Sequence, residues 1–239
     1  MFHPAQFSVS HGVSSPAAVF PTGGGSSEFP VDEATCVAHL FAFSAIAPPN
    51  RHLRGCTMKR EDCICYSGAA NGAEVAFGAA AERHGIDEVN FTFEGHAVAR
   101  QRGRRELTRA ELRHGDVSLG YLSKLMHRSY PDTPLFRNIL QTIWHQVNNG
   151  QEIFVIGKLN PDDTVTGGTG VAAEFARLFN KPVYVFDQER AGWFRWNGKA
   201  WEPASEPCIR QPLFCGTGTR FLQDNGRAAI DALFARSFT

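Results

Sequence analysis

The sequence lacks an excess of either charge: its 239 residues carry 24 Lys and Arg against 24 Asp and Glu. Counterion release from a nucleic acid needs a cationic surface, so a nucleic-acid partner is not expected. Also missing is an apolar run of about 18 residues, which excludes a spanning helix and, with it, a membrane partner. The six cysteines, Cys36, Cys56, Cys63, Cys65, Cys208 and Cys215, contain no C-x-x-C pair. In a chain of this length they read neither as a disulfide scaffold nor as a zinc ribbon, and a reducing, cytoplasmic compartment is expected. The nine histidines form no H-E-x-x-H or comparable motif, and no metal or cofactor is expected. No Gly-Lys-Ser/Thr follows any glycine turn and no complete G-x-G-x-x-G occurs, which disfavours a kinase, an ATPase and a standard NAD dehydrogenase.

What the sequence does have is glycine, 23 of them, and their placement is informative. Residues 1–57 are rich in Ser, Gly and Pro, and contain Pro21-Thr22-Gly23-Gly24-Gly25-Ser26-Ser27. Such a segment is poor in the apolar surface that offsets chain entropy. The apolar stretch 35–47 is too short to span a membrane and has no charged region before it. Met58-Lys59-Arg60 then leads straight into the strand Cys63-Ile64-Cys65-Tyr66, like the natural start of a domain. Residues 1–57 are therefore expected to be a dispensable low-complexity extension, a leader or an upstream start, and residues 58–239 the folded domain.

From Asp62 onward strand and helix signals alternate. Strands are expected at 63–66, 89–93, 153–156, 181–186 and 212–216. Helices are expected at about 72–84, 134–148, after Gly170, and at 221–234. The fully apolar Ile153-Phe154-Val155-Ile156 has the character of a buried parallel strand. Asn197-Gly198 between aromatic residues predicts a small aromatic β-hairpin over Trp193–Trp201. The polar stretch Arg100–Arg113, with six arginines and two glutamates, predicts a mobile insertion, a solvated face in preference to a lid over an anionic ligand. Strands joined by helical crossovers make a parallel sheet with helices on both faces, an α/β Rossmann-like fold.

Three strand-to-glycine-to-helix junctions carry the candidate chemistry. They are Ser67-Gly68-Ala69-Ala70-Asn71-Gly72, Gly167-Gly168-Thr169-Gly170, and Gly216-Thr217-Gly218-Thr219-Arg220. Glycine allows close backbone approach and positive φ, and the free N–H groups at a helix start favour a phosphate or carboxylate. One such turn needs no ligand to explain it. Three at the carboxyl ends of parallel strands point to a shared anion site at the topological switch point. Arg220 can close a bidentate guanidinium contact over a phosphate, and Ser67 and Asn71 can donate to a ribose or phosphate, although both are also common turn formers.

These junctions resemble a known superfamily. Gly167-Gly168-Thr169-Gly170-Val171-Ala172-Ala173-Glu174 is similar to the G-G-x-G-T-x-x-E signature of the LOG-like family, long called lysine decarboxylases, with Val171 in place of the threonine. Ser67 to Glu74 resembles the S-G-G-A-x-G-A-D turn of the wider SLOG superfamily, with Ala69 and Glu74 as departures. Gly216 to Arg220, followed by Gly226-Arg227-Ala228-Ala229-Ile230, resembles that superfamily's first strand, phosphate loop and first helix. Since this unit comes last here, the resemblance implies a circularly permuted domain.

The resemblance implies a protein that binds a nucleotide or other phosphate-bearing small molecule as a sensor or carrier. Its alternative is a nucleoside 5′-monophosphate phosphoribohydrolase that releases free base and ribose 5-phosphate. Cleaving an N-glycosidic bond passes through an oxocarbenium-like state and needs a nearby carboxylate. On that alternative Glu174 is the catalytic carboxylate and Arg137, preferred over Arg128 of Met126-His127-Arg128, its arginine. The bland role for Glu174 is to pair with an arginine or complement the helix dipole. Relatives often complete their site across a homodimer, so a second copy of the chain is an expected partner.

Overall fold

The computed structural model describes residues 58–238; the expectations for residues 1–57 lie outside the described residues. After one turn of 3-10 helix, β1 (Ile64–Ser67) runs into α1 (Ala73–Arg83), followed by β2 (Asp87–Thr92) and a short β3 (Arg104–Glu106). Three helices come next: α2 (Arg109–His114), α3 (Leu119–Leu125) and α4 (Pro134–Asn149). Then follow β4 (Glu152–Gly157), α5 (Thr169–Leu178), β5 (Val183–Asp187), the hairpin β6 (Gly192–Trp196) and β7 (Trp201–Pro203), β8 (Leu213–Gly218) and α6 (Asp224–Ser237). One eight-stranded sheet has the order β3-β2-β1-β8-β4-β5-β6-β7. Its first six strands are parallel, and only the hairpin runs antiparallel. The fold is α/β and Rossmann-like, as the alternating pattern predicts.

Strand periodicity explains the two cores. Along β4, Phe154 and Ile156 face α1 and α6, where they pack with Phe77, Ile230 and Phe234. Ile153 and Val155 point the other way, to Val147 of α4 and Phe175 of α5. All six β4 residues are buried, so an uninterrupted apolar run is what a strand covered on both faces requires. β8 follows the same rule, with Phe214 on the first face and Cys215 on the second. The alanines of α1 bring that helix close to the sheet. Gly216 of β8 has no Cβ because the Phe77 ring occupies that space.

Local signals set the helix ends. Pro134 opens α4, and the Thr133 hydroxyl accepts from the Phe136 N–H at 3.2 Å. At α2, Thr108 and Glu111 form a reciprocal capping box, which satisfies two otherwise unpaired N–H groups. α2 covers the outer side of α4, and His145 Nε2 donates to the Glu111 carbonyl at 2.8 Å.

Most of the stretch Arg100–Arg113 is exposed, the expected solvated face, but it is more than a loop. It supplies β3 and α2, and two of its arginines turn inward. Glu88 on β2 has a side chain 1% exposed, and a buried carboxylate needs charged or hydrogen-bonding partners. Arg100 supplies a bidentate pair at 2.7 and 2.6 Å, Arg102 donates at 2.9 Å and Asn90 at 3.0 Å. A sequence-local count of arginines cannot see that their acceptor lies on another strand. Removing the charge leaves Arg100 facing a neutral amide in a buried site. Glu88→Gln is expected to lower unfolding free energy by about 1.5–3 kcal/mol, the worth of hydrogen bonds to a charged group, read from urea denaturation.

Candidate functional site

β1, β8 and β4 are adjacent and parallel, so the three segments that leave their carboxyl ends meet at one edge of the sheet. Chains leaving β1 and β8 enter α1 and α6 on one face, whereas the chain leaving β4 enters α5 on the other. A crevice opens between strands whose following helices diverge in this way. It holds two adjoining clefts, which share Arg220 and Phe221.

The first cleft, of about 460 Å³, is lined by Gly157, Lys158 and Thr166–Thr169 after β4, Gln188 and Glu189 after β5, and Thr219–Phe221 and Gln223 after β8. Gly167 has φ +73° and open space around it; Gly168 is equally open and begins α5 with no side-chain cap. The α5 N-terminus therefore presents backbone N–H groups and the positive end of its dipole to this space. Lys158 adds a cation, held at 2.7 Å from Glu189.

The glycines divide into two groups. Gly167 and Gly168 face open space, but Gly170 is a packing glycine: a methyl there would run into the Val165 carbonyl oxygen and crowd Met126. Gly72 (φ +97°) sits against the backbone of Thr219 and Arg220, and Ala73 N–H donates to the Thr219 carbonyl at 3.0 Å. Gly218 packs on Ile156 and Ala73, and Gly216 on Phe77. These contacts weld the turns after β1 and β8 together.

The second cleft, of about 560 Å³, is lined by Gly68, Ala70, Asn71 and Glu74 from the first turn, and by His96, Arg220 and Phe221. Its remaining wall is one face of α4: Ile139, Thr142, Ile143 and Gln146, at positions i, i+3, i+4 and i+7. Glu74 organises the floor. Its carboxylate accepts from Ala70 N–H and the Thr217 hydroxyl, both at 2.8 Å, and from Gly68 N–H. Burial raises its pKa above the usual carboxylate value, and those donors oppose the rise. Burial pushes the His96 imidazole below its ordinary value, which favours its neutral form.

Of the residues proposed from sequence, Gly167, Gly168, Thr169 and Arg220 line the first cleft, and Gly68, Asn71 and Arg220 the second. Ser67 and Thr217 lie beneath them, buried; Ser67 donates to the Gly216 carbonyl at 2.8 Å and Thr217 to Glu74. Gly72, Gly170, Gly216 and Gly218 make the packing contacts described above. Glu174 lines neither cleft: it pairs with Arg177 at 3.0 Å, and burial raises its pKa against that arginine's pull. Arg137 lies on the exposed start of α4, paired with Asp132 at 2.7 Å. Arg128 instead reaches the glycine turn, donating to the Gly167 carbonyl at 3.3 Å and to the Thr164 hydroxyl at 2.9 Å. Asp187 caps the turn after β5, accepting from the N–H groups of Leu159, Glu189 and Arg190.

Sequence reasoning missed Lys158, His96, Thr142, Gln146 and Phe221. Lys158 could have been found as the first charge after a fully apolar strand. Thr142 and Gln146 were visible as polar residues beside the apolar stripe of α4. Nothing local marks His96 or Phe221.

No protein-family model matches the chain, and no curated protein matches it. Among solved structures it is similar to one described as "Putative molybdenum carrier protein" from Syntrophus aciditrophicus. The likeness covers 76% of this chain and 98% of that one, at 14% identity and a TM-score of 0.46.

The two kinds of glycine separate experimentally. Gly170→Ala is expected to cost about 1–3 kcal/mol through overpacking, whereas Gly168→Ala, facing open space with an unstrained φ, costs less than about 1 kcal/mol; thermal melts compare them. Glu74 gives a pH test. A carboxyl whose folded pKa is raised contributes stability that is complete below its unfolded pKa and lost as pH rises through the folded one. Stability should therefore fall on going upward from about pH 4.5, the ordinary value, and Glu74→Gln should remove that part of the slope in urea titrations across pH.

Proposed function

We propose that the protein binds a nucleotide or nucleotide-derived phosphate ligand in the first cleft, as a sensor or carrier of the SLOG type. The observation that carries this reading is the open, uncapped start of α5 at Gly167–Thr169, facing Lys158 and Arg220 across a cleft at the switch point. Backbone N–H groups, a helix dipole and the Arg220 guanidinium, with Lys158 shared between Glu189 and the cleft, together favour a phosphate over a neutral group. The order of strands supports a permuted SLOG-type domain. Counted from β8 as the first strand, the parallel core β2-β1-β8-β4-β5 becomes 3-2-1-4-5, the order of a doubly wound nucleotide-binding sheet.

Carriage or sensing suits the geometry better than hydrolysis. The carboxylate assigned to hydrolysis, Glu174, is committed to Arg177 and stands outside both clefts. Chromatography of incubated nucleoside 5′-monophosphates tests that alternative: free base whose release is lost in Glu174→Gln would establish a phosphoribohydrolase.

Titration calorimetry with ribose 5-phosphate tests the binding reading. Arg220 is exposed, so Arg220→Ala is expected to fold normally and to weaken binding about tenfold or more, the worth of a charge-assisted hydrogen bond. Unchanged affinity in Arg220→Ala, or no binding by the unmodified protein at millimolar ligand, would overturn it.

A further inference from the structure

The second cleft differs chemically from the first. Its α4 wall is apolar at Ile139 and Ile143, and burial disfavours the charged form of His96 beside it. Two observations there have no role in holding the fold. Gln146 is 1% exposed, yet its carboxamide oxygen is buried with no hydrogen-bond partner. An unmet acceptor costs about 1–3 kcal/mol, and this one belongs to a side chain that lines the cleft. At the mouth, Phe221 is 77% exposed, the most exposed of the large apolar side chains among the described residues, and it borders both clefts. The Arg220 guanidinium stands 5.9 Å from the ring's centroid, and an exposed aromatic ring beside a cleft still offers a face on which a flat ring can stack.

We propose that the second cleft holds a planar nitrogen heterocycle carrying an amino group, which donates to the Gln146 carboxamide oxygen and stacks on Phe221. This rests on the phosphate reading of the first cleft and deepens it: Arg220 and Phe221 are neighbours in sequence, so the arginine meets the phosphate where the phenyl ring meets the base. The amino group supplies the donor that Gln146 lacks, and Ile139 and Ile143 cover the ring's apolar edge. Adenine, guanine and cytosine fit this description; a base without an exocyclic amino group fits less well.

Titration calorimetry on the full chain separates the parts of such a ligand. The probes are ribose 5-phosphate, the 5′-monophosphates of adenosine, guanosine and cytidine, purine riboside 5′-monophosphate, and the three nucleosides without phosphate. At least one amino-bearing nucleotide should bind about tenfold tighter than ribose 5-phosphate. If that nucleotide is the adenosine one, purine riboside 5′-monophosphate should lose most of the gain. Gln146→Leu should abolish the gain while leaving ribose 5-phosphate unaffected. Phe221→Ala, at an exposed loop position, should reduce it about fivefold to tenfold, and it serves alone should Gln146→Leu fail to fold. The proposal is overturned if no nucleotide exceeds ribose 5-phosphate, or if both variants weaken the two ligand classes equally. Should ribose 5-phosphate itself fail to bind, the phosphate reading falls, and the free nucleosides decide this one. A nucleoside that binds in the millimolar range and is lost in either variant upholds the ring site, and absence of any nucleoside binding overturns it.

Discussion

The two parallel ladders of β8, with β1 through Ile64–Tyr66 and with β4 through Glu152–Ile156, hold the rest of the structure in place. Without them the sheet is two pieces, β1–β3 and β4–β7, and neither piece has a site. With them, turns some 90 and 150 residues apart along the chain come to one edge and touch. The contact is close because small residues allow it: Gly72 lies on the backbone of Thr219 and Arg220, and Gly218 on Ile156. A side chain at either position would push the turns apart, and the crevice with them.

This explains how one glycine-rich pattern serves two ends. In Gly167-Gly168-Thr169-Gly170, the first two glycines leave space and the last fills it, since Val165 and Met126 occupy the volume a methyl would need. The loop is also held from behind, where Arg128 spans the Gly167 carbonyl and the Thr164 hydroxyl. Rigid support beneath and vacancy above let backbone N–H groups stay aimed at a ligand without reorganising when it binds. Glu74 does comparable work in the turn after β1, where its buried carboxylate gathers N–H groups from the turn and the Thr217 hydroxyl from β8.

The fold was largely legible from sequence because its signals are local. A fully apolar run marks β4, a Thr-Pro start marks α4, and Asn197-Gly198 lies in the turn of the hairpin. The site was legible only where backbone made it. The glycine turns could be located, yet which glycine faces a ligand and which a neighbour depends on contacts such as Gly216 with Phe77, made across the sheet. Side chains that converge from elsewhere were not legible at all: His96 comes from the loop after β2 and Phe221 from the loop after β8. The inward pairing of Arg100 and Arg102 was hidden for the same reason, since Glu88, the acceptor that draws them in, lies outside the stretch. Arg128 stands far from the glycine turn along the chain, and the fold brings it to that turn.

The central place of β8 also bears on the history of each molecule. Synthesis delivers β1 and β4 long before the strand that separates them, so both wait with unpaired N–H and C=O groups along an apolar edge. Such edges recruit any extended segment within reach, including one from another nascent chain. They also have a wrong partner close at hand, because β1 and β4 could pair directly with each other and close a sheet one strand short. The two central ladders therefore cannot form until the last strand of the described residues has been made, whatever the stability of the finished sheet.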